Sequence, residues 1–252
     1  TSGTKVTASK AVVTFDDATN ATMTAKQISD IVGAVTSASI TNKVAITGDV
    51  SDMTAALVTA GTSATIGTTG TTATVSDLAT LSEANAIAKI NNVKASFTLG
   101  LSDSSTALTK NATTISDDMA AVTTDQSDIK ITVNDAKDAT VSATRLAAIG
   151  GTTTGDVTVS SAVKVTDNHD NLLAAFVTTG SKVLATSAVV TFDDNANTSI
   201  TAKQLSDVGG AVASATVTNK VLVDGDHDEL TAAFVTSGTK VTASKAVVTF
   251  DD

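Results

Sequence analysis

Apolar residues along this chain fall into short groups with two spacings. Over Thr24–Val35, residues Ala25, Ile28, Ile31, Val32 and Val35 recur at i, i+3, i+4 and i+7, the spacing of an amphipathic helix. Thr24 stands before this face as its cap. The same spacing predicts short helices near 51–58, 76–89, 142–149, 169–177, 201–208 and 227–235. Between them, β-branched runs predict strands over Ser39–Thr47, Ile129–Val133, Val157–Thr166, Val183–Phe192 and Val241–Phe250. In KVTASKAVVTF the inward set changes phase, from Val6 and Ala8 to Ala11, Val13 and Phe15. Slipping by one residue turns side chains to the other face, so the strand bends or bulges there.

The pattern repeats. Residues 1–17, TSGTKVTASKAVVTFDD, recur unchanged as 236–252 and in altered form as 178–194. TMTAKQISDIVGAVTSASITNKVAI (22–46) matches SITAKQLSDVGGAVASATVTNKVLV (199–223) at an offset of 177, without a gap. Segment 163–194 matches 221–252 at an offset of 58, with 21 identities in 32 positions. A step of 58 divides into two units of about 29, each expected to hold one strand and one helix, as solenoid repeats do. Alternating strands and helices with short links imply parallel strands and right-handed crossovers. The fold expected is therefore α/β, a right-handed parallel solenoid of about 29-residue strand–helix coils. The alternative is an all-β solenoid in which the helices are turns. Residues 1–252 then form a single continuous array of about eight to nine coils, and the identical ends suggest an excerpt of a longer tandem-repeat protein.

Composition narrows the function. Of 252 residues, 48 are Thr and 41 Ala, with no Pro, Cys, Trp or Tyr. Without Cys there is no disulfide scaffold, thiolate metal site or thiol nucleophile. A net charge of −10 is the wrong sign for tracking phosphates, and the lack of Trp and Tyr removes a stacking platform for bases, so nucleic acid is not an expected partner. No apolar run approaches a membrane span, so no membrane insertion is expected. At 42% hydrophobic residues, the chain still has enough apolar surface for a thin core of small side chains.

Candidate chemistry is sparse. His169 and His227 occupy one repeat position, and the matching residue in the first copy is Val50, which favours a place on the first turn of a helix over a catalytic role. In DGDHDEL, Asp224, Asp226 and Asp228 alternate as calcium ligands do at the start of a helix–loop–helix site. The Gly and Glu that complete that pattern are replaced by Glu229 and Val235. Carboxylates before a helix also cap it without a metal, so no ligand is assigned, and these three stand as the calcium candidates. The Asp pairs ending each TFDD (Asp16/Asp17, Asp193/Asp194, Asp251/Asp252) read as solvated turn residues. SGTK at 2–5 and 237–240 lacks the rest of a phosphate loop, and the glycosylation-like triplets at Asn20, Asn111 and Asn197 are expected by chance in a Thr-rich chain. Rows of Thr on one flat face could match ice, but Thr does not recur at 29-residue spacing.

Strings such as TAKQLSD, TNKVAITGD, DATVSATRLAAIGGTTTGDVTVSSAVKVTD and HDNLLAAFVTTG resemble the Thr/Ala/Ser-rich tandem repeats of giant bacterial cell-surface proteins, hemolysin-like or surface-layer-like. The resemblance implies an exported, calcium-exposed surface or matrix protein. The function expected is structural: a segment or subunit of an extracellular filament, fibre or adhesin stalk, with copies of itself stacked head to tail as partner. The alternative is a surface- or ligand-binding adhesin module. An enzyme is not expected with Arg145 the only Arg, and no cofactor is expected apart from the calcium candidates.

Overall fold

A computed structural model of the chain describes residues 8–181, 183–239 and 241–251. It is mixed α/β with parallel strands. Two compact units divide it: 1–101 with 118–129, and 102–117 with 130–252.

The elements run β1 (Val12–Phe15), β2 (Thr22–Thr24), α1 (Ala25–Val32), β3 (Ser37–Ile40), β4 (Ala45–Gly48), α2 (Val50–Leu57), β5 (Thr65–Ile66), β6 (Thr71–Val75), α3 (Leu81–Ala88) and β7 (Val93–Phe97). Then come β8 (Leu101–Asp103), α4 (Ser105–Leu108), α5 (Asp117–Asp125), β9 (Ile131–Val133), β10 (Thr140–Val141), α6 (Ala143–Gly150), β11 (Val157–Val159), β12 (Lys164–Asp167) and α7 (His169–Phe176). The last are β13 (Ala185–Phe192), β14 (Ser199–Thr201), α8 (Ala202–Ala211), β15 (Val212–Val217), β16 (Leu222–Gly225), α9 (His227–Phe234), β17 (Val241–Thr242) and β18 (Val247–Phe250). These helices set aside the all-β alternative.

Each pass of the chain generally carries two strands and a helix, not one strand and one helix. The runs 39–47, 157–166 and 241–250 each split into two strands around a polar corner. Corners use residues that tolerate left-handed backbone: Asn20, Asp138 and Asn197 have φ of 66°, 64° and 67°. Each donates its backbone N–H across to the next pass, to Lys43 O (2.6 Å), Ala162 O (2.8 Å) and Lys220 O (2.7 Å). A β-branched run reads as one strand because its apolar alternation does not register such a corner.

In the first unit the sheets are β1-β3-β5 and β2-β4-β6-β7. Pairing steps run from 22 residues (Thr71 opposite Val93) to 27 (Ala45 opposite Thr72), shorter than the 29 expected. Thr24 caps α1 as expected: it accepts from Gln27 N, and the Gln27 side chain accepts from Thr24 N, a reciprocal box repeated at Thr201 and Gln204. Ala25, Ile28 and Val32 are buried, and with Ile46, Met53 and Ile87 they form the core between helices and strands, whereas Ile31 of the expected face is exposed and Val35 lies beyond the end of α1, which stops at Gly33.

In the second unit the sheets are β8-β9-β11, β10-β12-β13-β15-β17 and β14-β16-β18. Here β13 explains the two repeat offsets. On one edge it pairs with β12, which precedes a helix (Val165 opposite Val190); on the other it pairs with β15, which follows one (Val190 opposite Ala215). The phase change read at Val6–Phe15 begins outside the described residues; at the matching place in the altered copy, β13 shifts register between Ala185 and Val189. The offset of 58 carries β12, α7 and β13 onto β16, α9 and β18, and the offset of 177 carries β1, α1 and β3 onto β13, α8 and β15.

Helices lie close to the following pass. A Cβ on Gly150 would sit 2.0 Å from Ser181 O, and one on Gly209 would sit 2.1 Å from Thr239 O. Glycine costs helix stability by about 1 kcal/mol relative to Ala, so these positions trade propensity for contact. Gly209→Ala is expected to destabilise by about 1–3 kcal/mol, because backbone must move aside. Ser214→Ala, at an exposed position on β15, is expected to leave the melting temperature nearly unchanged. Thermal unfolding of the two variants beside the parent chain checks the contrast.

Candidate functional site

Polar side chains recur at one structural place, the start of a helix. The first N–H groups of a helix have no partner within it. In α7, Asn171 N donates to the Asn168 side chain (3.0 Å), and His169 N donates to both oxygens of Asp194 (3.0 and 3.2 Å). Asp194 comes from the following pass. His169 Nδ1 lies 2.6 Å from Asp194 Oδ1, and since a carboxylate only accepts, the imidazole donates. The same joint appears at α2, where Val50 N donates to Asp77 (2.7 Å) and Asp52 N to Asp49 (2.7 Å). It appears again at α4, where Ser105 donates to Asp135 through its N–H (2.9 Å) and its hydroxyl (3.1 Å). One acceptor comes from the strand before the helix and one from the next pass. Negative charge there also complements the helix dipole.

Hydroxyls close other joints. Thr41 and Thr218 donate to the carbonyls ending β1 and β13 (Phe15 at 3.5 Å and Phe192 at 3.2 Å), Thr68 donates to Thr41 O, and Ser160 donates to Val133 O (3.2 Å). Each of these bonds runs from one pass back to the one before. Thr62, Ser181 and Thr239 donate to helix carbonyls seven residues earlier, at Ala55, Ala174 and Ala232 (2.8, 2.6 and 2.7 Å). Asn42 and Asn219 donate to Asp17 O and Asp194 O, each at 2.8 Å.

No protein-family model, curated protein or solved structure matches this chain.

The site residues read from the sequence are placed as follows. His169 and His227 are the first residues of α7 and α9. Asp226 caps α9, accepting from Glu229 N (2.8 Å), while Asp224 lies in β16 and Asp228 is exposed on the first helical turn. Among the described residues no three His, Asp or Glu side chains are gathered as a metal cage requires. The reading of the TFDD pairs as solvated needs correcting at Asp194, which is buried because it reaches in to α7. Asp16, Asp17, Asp193 and Asp251 are exposed, and Asp252 lies outside the described residues. Asn20 and Asn197 are the left-handed corners, and the Asn111 side chain accepts from Thr113 N (2.9 Å). Residues 2–5 and Lys240 of the SGTK strings lie outside the described residues.

Sequence reasoning missed Asp77 and Asp135 as joint residues. They lack the TFDD phrase, and only their position after a strand, one pass beyond a helix start, marks them. It also missed the row of Thr166, Thr191, Thr216 and Thr242, brought side by side on β12, β13, β15 and β17. Their steps are 25 and 26 residues, so a search at 29 does not find them.

A groove of about 640 Å³ in the first unit is lined by Thr72, Thr74, Lys94, Ser96, Asp125 and Gln126. The last two are already engaged: Ala95 N donates to Asp125 (2.9 Å) and Phe97 N to Gln126 (2.6 Å). These side chains close the outer edge of β7 as a further strand would. The Lys26–Asp30 and Lys203–Asp207 pairs lie at i, i+4, exposed except for the half-buried Asp207, and each lysine pKa is raised by its hydrogen bond to the Asp and by that charge. In such solvated pairs the contribution to stability is small. The carboxylates and hydroxyls of the repeated joints hold backbone groups in place.

Asp194→Ala is expected to cost about 2–3 kcal/mol, since it strands a buried N–H and an imidazole donor. Asp193→Ala, one residue away and exposed, is expected to stay within about 0.5 kcal/mol of the parent. Urea unfolding of the two variants side by side checks the difference.

Proposed function

We propose that the chain has a structural, non-catalytic role, as a segment or subunit of an extracellular filament, fibre or adhesin stalk built from copies of itself stacked end to end. Within this reading each unit is a stretch of right-handed parallel solenoid. The observation that carries it is the recurring joint: Asp77, Asp135 and Asp194 each satisfy the helix start of the preceding pass. Polar side chains used up in this way serve continuity along the stack. The acidic charge of −10 keeps neighbouring filaments apart, and the likeness to repeats of giant bacterial surface proteins supports a place at the cell surface. Negative-stain electron microscopy of the purified chain at rising concentration tests the role. Uniform unbranched filaments are expected, and discrete particles at every concentration would overturn it.

One observation favours a surface-binding module as the second reading. Thr166, Thr191, Thr216 and Thr242 form one row across four adjacent parallel strands, with three of the four exposed and Thr191 half-buried. Parallel strands lie about 4.8 Å apart, so the row offers hydroxyls and methyls at a constant repeat to an ordered surface. Freezing-point hysteresis of the purified chain, lost in Thr191→Lys/Thr216→Lys, is the outcome this reading expects. No hysteresis in the parent chain would remove ice as the surface.

A further inference from the structure

Three segments of the chain read Ala-Val-Val-Thr-Phe-Asp-Asp, at 11–17, 188–194 and 246–252. The middle one, in β13, is paired on both edges, with β12 and with β15. The other two are each paired on one edge among the described residues, and on opposite edges. β18 is held by β16, Val223 opposite Val248, which matches β12 against β13. β1 is held by β3, Val13 opposite Ala38, which matches β13 against β15. Among the described residues, each is therefore paired on the edge that is open in the other.

The apolar surface tells the same story. Phe250 and Val248 are 63% and 41% exposed, whereas their counterparts Phe192 and Val190 are fully buried. On α1, Ile31 is 41% exposed, whereas its counterpart Val208 on α8 is fully buried. A groove of about 420 Å³ beside β18 is lined by Phe234, Val241, Ala243 and Val248. The equivalent Phe176, Val183, Ala185 and Val190 are all buried, in the stretch where α8 and β15 pack on α7 and β13. Inside the chain the equivalent surface is covered by a helix and a strand, α8 and β15. Their near-identical counterparts are α1 and β3.

We propose that the groove formed by α9, β17 and β18 docks α1 and β3 of a second copy, with one Val-Val-Thr-Phe strand serving both copies at the joint. Residues 247–250 of the first copy take the place of 12–15 in the second, or the reverse. Val248 of one copy then stands opposite Ala38 of the other, and Phe250 opposite Ile40. Because the departing strand and its replacement have the same sequence, the exchange sacrifices no side-chain contact of the strand itself. It gains the burial of Phe250, Val248 and Ile31, all exposed in the single chain. This inference deepens the end-to-end reading and rests on it, adding the residues and register of the joint.

The chain has no Cys, so introduced thiols report without background. Two singly substituted proteins, Ala38→Cys and Val248→Cys, are mixed and oxidised, which makes any mixed disulfide intermolecular. A second mixture, Val13→Cys with Val223→Cys, reports the reverse exchange. Facing Cα atoms of adjacent strands fall within the roughly 4.4–6.8 Å that a disulfide spans. About tenfold more mixed dimer is expected from one of these mixtures than from the register-shifted control, Ala38→Cys with Val247→Cys, because docking raises the effective thiol concentration. Neither mixture exceeding the control would overturn the shared strand. Filaments seen by microscopy without the cross-link would leave stacking intact and sink this joint, whereas cross-linked dimers without filaments would do the opposite.

Discussion

Parallel pairing of one pass with the next is the constraint on which the rest of this structure depends. Once Val165 stands opposite Val190 and Val190 opposite Ala215, every helix start, corner and helix end must be satisfied locally, because each pass repeats the same backbone problem. The solution is also repeated. At α2, α4 and α7 the residue just before the helix (Asp49, Ser104 or Asn168) takes one helix N–H, and an Asp from the next pass takes another. At these three helices the next pass is pinned at two places, the sheet and the helix start.

This accounts for the composition in physical terms. Threonine, serine and asparagine are abundant where corners and helix ends need a short donor, as Thr62, Thr218 and Asn219 show. Alanine and glycine are abundant where helices approach neighbours closely, most tightly at Gly150 and Gly209. Proline would remove a ladder donor from an interior strand. Phe176 and Phe192 fill two of the few wide places, both fully buried.

Much of the fold was legible in the sequence. The spacing of Ala25, Ile28 and Val32 marked α1 and its buried face, Thr24 marked its cap, and the change of phase in KVTASKAVVTF marked a register shift in its altered copy, β13. The doubling of strands was not legible, because a corner such as Thr41-Asn42-Lys43 leaves the alternation of the flanking β-branched residues undisturbed. α4 and α5 were missed as well; they lie in the stretch where the repeat has drifted, and their short helical turns carry few apolar residues. At the helix starts, the TFDD phrase singled out Asp194 but not its partner, since His169 lies 25 residues away in sequence. Asp77 and Asp135 do the same work without the phrase, and only the pairing of successive passes brings them to their helices.

The threefold occurrence of Ala-Val-Val-Thr-Phe-Asp-Asp has a consequence for how such a chain changes in length. Recombination between the coding stretches for any two of these segments removes or inserts 58, 177 or 235 residues. After either exchange the strand at the junction has the sequence that was there before, so the side chains it presents are unchanged. A chain with such segments can thus change in length in inheritance while the strand at the junction keeps its side chains.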